Sequence, residues 1–180
     1  MVTLETERLT LRMFREGDLE AYAAICADPE VMRYLGDGTP LDRAGAWRQM
    51  AMIVGHWQLR GYGLLAIEDR ASGELIGRAG FFEPEGWPGF ELGWMLRRAS
   101  WGRGYATEAT RRLLEYAFTD LGRERVISLI RPTNAPSIRV AERLGERLEG
   151  CVQLFGHEAL VYAIDPAVWR ARGGQSSTQR

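Results

Sequence analysis

The residues best suited to chemistry lie together in segment 91–109, ELGWMLRRASWGRGYATEA. A strand-like run leads into a loop that contains Gly102 and Gly104, and a helix-like run begins at Tyr105. Glycines let backbone N–H groups approach an anion closely, and the free N–H groups at a helix N-terminus carry partial positive charge that attracts it. The segment therefore predicts a phosphate-binding loop.

Three arginines, Arg97, Arg98 and Arg103, surround this loop, and guanidinium groups pair well with phosphates. The pattern differs from the common nucleotide-binding motifs. The dinucleotide fingerprint requires a third glycine where this chain has Thr107, and the Lys-Ser/Thr pair of the phosphate-binding P-loop is absent. The loop thus favours a phosphate ligand of another class.

Hydrophobic periodicity predicts the elements that position the loop. We predict strands at 8–14, 63–67, 74–82, 90–96, 125–130, 149–155 and 159–164, and helices at 19–26, along the stripe Trp47, Met50, Val54 and Trp57, at 105–121 and at 135–144. A short helical turn is expected at 30–35, and the strands between 63 and 96 are expected to form an antiparallel meander. The order β-α-α-β-β-β-α-β-α-β-β indicates an α+β fold.

Composition limits the classes of function. The chain has 180 residues, 46% of them hydrophobic and 26% charged, with a net charge of -1. We expect one domain at 1–168 and a flexible tail at 169–180. The charge balance argues against a nucleic-acid partner, and the lack of a long apolar run or a leader-like start predicts a cytoplasmic protein without a membrane partner. Neither the two cysteines nor the two histidines have metal-ligand spacing, so no metal is expected.

Five motifs in succession resemble one known family. They are LETERLTLR at 4–12, DPEV at 28–31, ELGW at 91–94, WGRGYATEA at 101–109, and NAPS at 134–137 leading to LG at 144–145. Together they cover roughly residues 3–165 and resemble the GNAT superfamily of acetyl-CoA-dependent N-acetyltransferases. Within it they are most similar to the RimJ/RimL-like branch, which acetylates ribosomal-protein N-termini.

The resemblance implies a fold and a donor site. The expected fold is a mixed, mostly antiparallel sheet, splayed into a V between the fourth and fifth predicted strands and flanked by helices, with acetyl-CoA in the opening. By similarity, the backbone of Met95 and Leu96 contacts the pantetheine arm and Asn134 holds it from the other wall. The pyrophosphate would lie on the backbone of Gly102, Arg103, Gly104, Tyr105, Ala106 and Thr107. Two positions depart from the family pattern: Ala99 replaces a frequent Gln or Arg, and Glu146 replaces the usual Phe after Gly145.

Two residues are candidates for catalysis. Glu91, at the start of a strand beside the expected cleft, is the candidate to accept the amine proton through water, as the resemblance also suggests. By similarity, Ser137 lies near the CoA sulfur, where its hydroxyl could donate to the departing thiolate. A backbone N–H near Met95 is expected to hold the acetyl oxygen.

The acceptor is open to more than one interpretation. An α-amine has a pKa near 8 and a lysine amine one near 10.4, so a protein N-terminus needs less help to lose its proton. The alternatives are a small amine, such as an antibiotic, a polyamine or an amino acid, and a non-catalytic acyl-CoA-binding module. Trp87 is the expected groove-lining residue, whereas Trp47 and Trp57 are expected in the core. Exposed sheet edges would also allow a homodimer.

Overall fold

A single mixed sheet runs through the centre of the molecule, and the computed structural model describes residues 2–173. The strands are β1 (Thr3–Glu5), β2 (Leu9–Arg12), β3 (Leu64–Asp69), β4 (Leu75–Phe82), β5 (Glu91–Leu96), β6 (Val126–Ile130), β7 (Arg147–Leu154) and β8 (His157–Ile164). Their order across the sheet is β1-β2-β3-β4-β5-β6-β8-β7. The pairs are antiparallel except for β5 and β6, which are parallel.

Helices cover both faces of this sheet. They are α1 (Leu19–Cys26), α2 (Pro29–Met32), α3 (Arg43–Arg60), α4 (Tyr105–Thr119), α5 (Ala135–Leu144) and α6 (Pro166–Ala171). Side chains of α1, α2 and α3 form one hydrophobic cluster with Leu64 and Ala66, and side chains of α4, α5 and α6 form another with Leu65 and Ile67. Successive residues of β3 therefore face opposite layers, as the two-residue period of a strand requires. The predicted α+β fold with a mostly antiparallel, helix-flanked sheet is confirmed.

Local sequence signals set the ends of these helices. The Asp42 carboxylate accepts the backbone N–H of Gly45 at 2.6 Å at the start of α3, and Asp165 does the same for Val168 at 2.8 Å at the start of α6. Gly61 ends α3 with a φ of 75°, a left-handed conformation that costs glycine little. The elements that position the site are thus specified by short-range chemistry.

The structure differs from the prediction in two elements that the periodicity did not resolve. The three-residue strand β1 pairs with β2, with Thr3 opposite Arg12, and is too short to show an alternating pattern. In α3 the buried stripe runs through Ala46, Met50 and Ile53. Trp47 is therefore 54% exposed, and its predicted place in the core is wrong because the stripe is shifted by one residue.

The C-terminal helix α6 extends beyond residue 168, where the sequence placed the end of the domain. Trp169 is buried in the same cluster as α4, so the domain includes at least this residue. Residues 174–180 of the predicted tail lie outside the described part of the chain. Among the helices at 2–173, none combines the length and the apolar character needed to cross a bilayer.

Candidate active site

The sheet opens between β5 and β6. A single register pair, Glu91 opposite Ile127, joins these parallel strands, and the Ile127 N–H donates to Phe90 O at 3.0 Å. One residue further along β6, the Ser128 hydroxyl donates to Leu92 O at 3.0 Å. A side chain thus takes the place of the backbone N–H that would continue the pairing of the two strands. The predicted opening between the fourth and fifth predicted strands is confirmed, because those strands are β5 and β6 of the structure.

A cavity of about 560 Å³, here called the first cavity, fills this opening. Its walls are the two separating strands, the loop before α4 and the first turn of α5. The predicted site residues that line it are Glu91, Met95, Leu96, Gly102, Gly104, Tyr105, Ala106, Thr107, Asn134 and Ser137. The chain therefore brings together in space two segments, 91–107 and 134–137, that the sequence could only place separately.

The loop before α4 leaves a helix N-terminus free to bind an anion. Gly102 and Gly104 have φ values of 72° and 81°, and Gly104 is the residue immediately before the helix. A Cβ on Gly102 would meet nothing within 4 Å, so the backbone conformation and not the space requires glycine there. No side chain in residues 2–173 caps α4, and its first N–H groups are available to a ligand.

The three arginines predicted beside this loop do not line the first cavity. Arg97 forms an ion pair with Glu74 at 2.7 Å, and Arg98 forms one with Asp28 at 3.3 Å. The guanidinium of Arg103 lies over the ring of a tyrosine, 4.9 Å from its centroid. Arg97 and Arg98 are thus paired with carboxylates, whereas Arg103 stays beside the loop, because the ring that it covers is that of Tyr105.

The cations that do line the first cavity are Arg33, Arg131, Arg139 and Arg143. Arg139 and Arg143 are exposed residues one turn apart on α5, and neither forms an ion pair with any residue of the described chain. Sequence reasoning missed them, although an arginine pair spaced by four residues in a predicted helix is a usable signal.

Arg131 has a different role, because it connects the end of β6 to the segment after α2. Its Nη2 donates to Gly36 O at 2.6 Å and its Nη1 to Arg33 O at 3.3 Å. The Tyr34 hydroxyl donates in the opposite direction, to Thr133 O at 3.2 Å. These three hydrogen bonds join two segments at the mouth of the cavity.

The start of α5 uses one of its predicted functional groups for capping. Asn134 Oδ1 accepts the Ser137 backbone N–H at 3.3 Å, which leaves the amide NH₂ of Asn134 for a ligand. The Ser137 side chain follows on the first turn, at the cavity wall.

A second cavity of about 270 Å³ meets the first at Glu91, which lines both. Trp87 lines it as expected for a groove residue, and its indole Nε1 donates to Glu91 Oε2 at 2.7 Å. Burial raises the pKa of Glu91 to about 7, although the Trp87 hydrogen bond and the Arg78 charge oppose the rise. Near neutral pH this carboxyl is therefore divided between its acidic and basic forms, as proton transfer requires.

A second buried carboxyl, Glu146, lies below the point where the strands separate. It is 4% exposed, and its Oε1 is 3.1 Å from Ser128 Oγ, while its Oε2 is buried with no hydrogen-bond partner among the described residues. The Ser128 hydroxyl has one proton but faces two acceptors, Leu92 O and Glu146 Oε1. A neutral Glu146 resolves this conflict by donating to Ser128, which then donates to Leu92.

The electrostatics agree with a neutral Glu146. Burial raises its pKa to about 8, the Ser128 contact opposes the rise, and the charge of Glu91 adds to it. The sequence singled out this position only as a departure from the family pattern, since burial of a carboxyl depends on residues far along the chain.

Residues outside the cavities show no metal site. The buried His56 is held by Tyr62 O at 2.9 Å and by the Glu83 N–H at 3.2 Å, a structural arrangement. Within residues 2–173 no group of three His, Cys, Asp or Glu side chains could hold a metal ion.

Comparisons with known proteins identify the family. Residues 8–147 match the family model for the acetyltransferase (GNAT) domain. The chain is 34% identical over 155 residues to the Bacillus licheniformis protein named "Uncharacterized N-acetyltransferase p20", covering 85% of this chain and 86% of that one. The crystal structure of an acetyltransferase from Agrobacterium tumefaciens superimposes with a TM-score of 0.80 at 36% identity, covering 91% and 94% of the two chains. RimL, a ribosomal L7/L12 α-N-protein acetyltransferase solved with coenzyme A, shares the fold with a TM-score of 0.77 at 21% identity, covering 91% of this chain and 98% of RimL. The chain therefore belongs to the GNAT family of acetyltransferases.

Proposed function

We propose that the protein transfers the acetyl group of acetyl-CoA to a primary amine by direct attack, with the donor in the first cavity and the acceptor in the second. The observation that carries this proposal is that the two cavities meet at Glu91, a carboxyl whose pKa is raised to about 7. A donor and an acceptor that enter from opposite sides would have their reacting groups beside this side chain.

The first cavity fits the donor by the chemistry of its walls. The pyrophosphate would bind the backbone N–H groups from Gly102 to Thr107, where the start of α4 has no capping side chain. The pantetheine amides would meet the backbone of Met95 and Leu96 and the free amide NH₂ of Asn134. Further phosphates would meet the two exposed arginines of α5, which have no other partner in the described chain.

Acetyl transfer then proceeds in one chemical step. The neutral amine attacks the thioester carbon, the C–N bond forms and the C–S bond breaks. The amine proton passes to Glu91, directly or through one water, while the Ser137 hydroxyl donates a hydrogen bond to the departing thiolate, which takes its proton from solvent. A backbone N–H of the strand near Met95 polarises the acetyl oxygen.

The acceptor class follows from proton affinity and cavity size. A base with a pKa near 7 removes a proton from an α-amine of pKa near 8 far more readily than from a lysine amine of pKa near 10.4. We therefore propose an α-amine, either a protein N-terminus as in the RimJ/RimL-like branch or a small amino compound. The 270 Å³ of the second cavity can hold about one residue beyond the amine and favours the small acceptor as a second candidate.

Kinetics with a panel of peptides and small amines, with CoA release as the readout, test the proposal. We expect turnover with at least one α-amine and a loss of about 100-fold or more in kcat/KM for Glu91→Gln. The exposed Glu85, in the loop before β5, gives the matched control Glu85→Gln, which should keep full activity.

Three results are informative. Unchanged kcat/KM for Glu91→Gln between pH 6 and 9 rules out Glu91 as the base. Affinity for CoA in calorimetry without turnover on any acceptor supports the non-catalytic module instead. Absence of CoA binding by folded protein removes the proposal altogether.

A further inference from the structure

Arg78, near the middle of β4, lines the second cavity without a carboxylate partner. In the described part of the chain its guanidinium forms no ion pair, and its Nε is buried with no hydrogen-bond acceptor. Its charge acts on Glu91, which also lines this cavity, and on the buried core residues Tyr22 and Cys26.

This arrangement leaves a permanent charge uncompensated. A guanidinium stays protonated at any physiological pH and presents five donors, so leaving it half-buried and unpaired is costly. Tyr22 offers a hydroxyl oxygen but no charge, because burial raises its pKa well above the usual value. Glu91 is not within ion-pair distance and is partly protonated near pH 7.

The other arginine of this cavity shows the contrast. Arg131 donates from both terminal nitrogens to backbone carbonyls, at 3.3 Å to Arg33 O and 2.6 Å to Gly36 O. Its donors are occupied by backbone carbonyls, whereas Arg78 has the uncharged Tyr22 hydroxyl beside it and no carboxylate partner in the described chain. The acidic side chains that line the cavity besides Glu91 are Asp37 and Glu158, and both are exposed at its outer end.

Two complementary groups therefore face one small space. A carboxyl able to take the amine proton lies on β5, and a free guanidinium lies on the neighbouring strand β4. The walls between and around them are largely apolar, with Leu64, Phe82 and Trp87 among them. Such a space suits a molecule that carries an amine and an anion a few bonds apart.

We propose that Arg78 binds a carboxylate of the acceptor, so that the acceptor is a compact amine bearing a carboxylate within one residue of the reacting nitrogen. This inference rests on the proposed acetyl transfer and adds the recognition of the acceptor. A free α-amino acid offers this chemistry, and so does an acidic first residue of a peptide. The size of the cavity favours the free amino acid.

Paired acceptors test the proposal. Each free amino acid is compared with its carboxamide, and peptides that begin with Asp or Glu are compared with peptides that begin with Asn or Gln. For the wild-type protein we expect kcat/KM to be about 10- to 100-fold higher for the carboxylate member of the pair, the effect of one charge-assisted bidentate contact. Because the Arg78 charge also lowers the pKa of Glu91, the variants are compared at pH 9, where Glu91 is ionised in each. There the preference should disappear in Arg78→Gln through a higher KM for the carboxylate member, with the amide member little changed. Arg78→Lys should keep part of the preference, since lysine keeps the positive charge but lacks the planar pair of N–H donors that binds both carboxylate oxygens.

Arg48→Gln is the matched control, since Arg48 is exposed on α3 and lines neither cavity. It should behave as wild type. The pair that shows the Arg78-dependent preference identifies the source, a free amino acid or a peptide. The inference is overturned by equal kcat/KM for both members in wild type. It is also overturned if the preference persists in Arg78→Gln, or if this variant loses the same activity on both members.

Product binding separates this inference from the proposed function. Calorimetry of wild-type protein with CoA, titrated with an N-acetyl amino acid or its carboxamide, needs no turnover and no variant. Tighter binding of the carboxylate by about 10-fold or more supports carboxylate recognition in the second cavity even if Arg78→Gln fails to fold, and equal binding overturns it. Lack of CoA release with every acceptor contradicts the acetyl transfer and leaves this binding result interpretable.

Discussion

Replacement of Glu146 by glutamine should stabilise the protein, and the gain should grow with pH. A glutamine amide can donate to Ser128 as the protonated carboxyl does, so the chain of hydrogen bonds to Leu92 O is kept. Unlike the carboxyl, it has no ionised form that must be suppressed on folding. The substitution therefore removes an electrostatic cost without removing a contact.

The size of the effect follows from the two ionisation states. The carboxyl titrates near 4.5 in the unfolded chain and near 8 in the folded protein, mainly because it is buried. A carboxyl whose pKa is raised by folding gives its full contribution to the free energy of unfolding below pH 4.5. This contribution is lost as the pH rises through 8. Within this window the contribution of the carboxyl to the free energy of unfolding falls by about 1.4 kcal/mol for each pH unit. Between pH 5 and 8 the free energy of unfolding of the native chain should thus fall by roughly 4 kcal/mol relative to Glu146→Gln.

Urea denaturation of both proteins at pH 5, 6, 7 and 8 measures this difference. Glu124→Gln is the control, because Glu124 is exposed and should show no pH-dependent difference from wild type. A difference that is constant with pH, or a variant less stable than wild type at pH 8, would refute the neutral state of Glu146.

Three further variants address the site. Trp87→Phe removes a hydrogen bond that lowers the pKa of Glu91, so the acid limb of kcat/KM should move up from about 7 by about one unit; an unmoved pH profile contradicts the contact. Ser137→Ala should lower kcat by about 10-fold or less, because a thiol of pKa near 8.5 already leaves readily, and a folded but inactive variant argues for a larger role. Gly104→Ala forces a side chain into a φ of 81° at the start of α4 and should weaken CoA binding in calorimetry, whereas Gly86→Ala, at a φ of 79° in another loop, should not.

The parts of the fold that short-range signals specify were predictable from the sequence. The strands between 63 and 96 and the helices α4 and α5 follow from periodicity, and the loop from Gly102 to Gly104 follows from its glycines. The uncapped helix start and the left-handed glycines of that loop were predictable, because neither feature needs a distant partner.

The remainder depends on contacts between distant residues. Arg97 and Arg98 were expected to pair with phosphates beside the loop; the structure adds their ion pairs with Glu74 and Asp28, and a sequence does not show which charges meet. Burial of Glu146 likewise depends on the place where strands separate. The free guanidinium of Arg78 could not be predicted either, since the absence of a partner is known only once the surrounding helices are in place.

The three hydrogen bonds between segments 33–36 and 131–133 have a mechanical consequence. They join two stretches of backbone almost a hundred residues apart, one that borders both cavities and one that lies just before Asn134. An acceptor that pushes on Tyr34 must either stretch these bonds or pull the start of α5 with it. These bonds are therefore the contacts through which a displacement at the second cavity would reach the wall of the first.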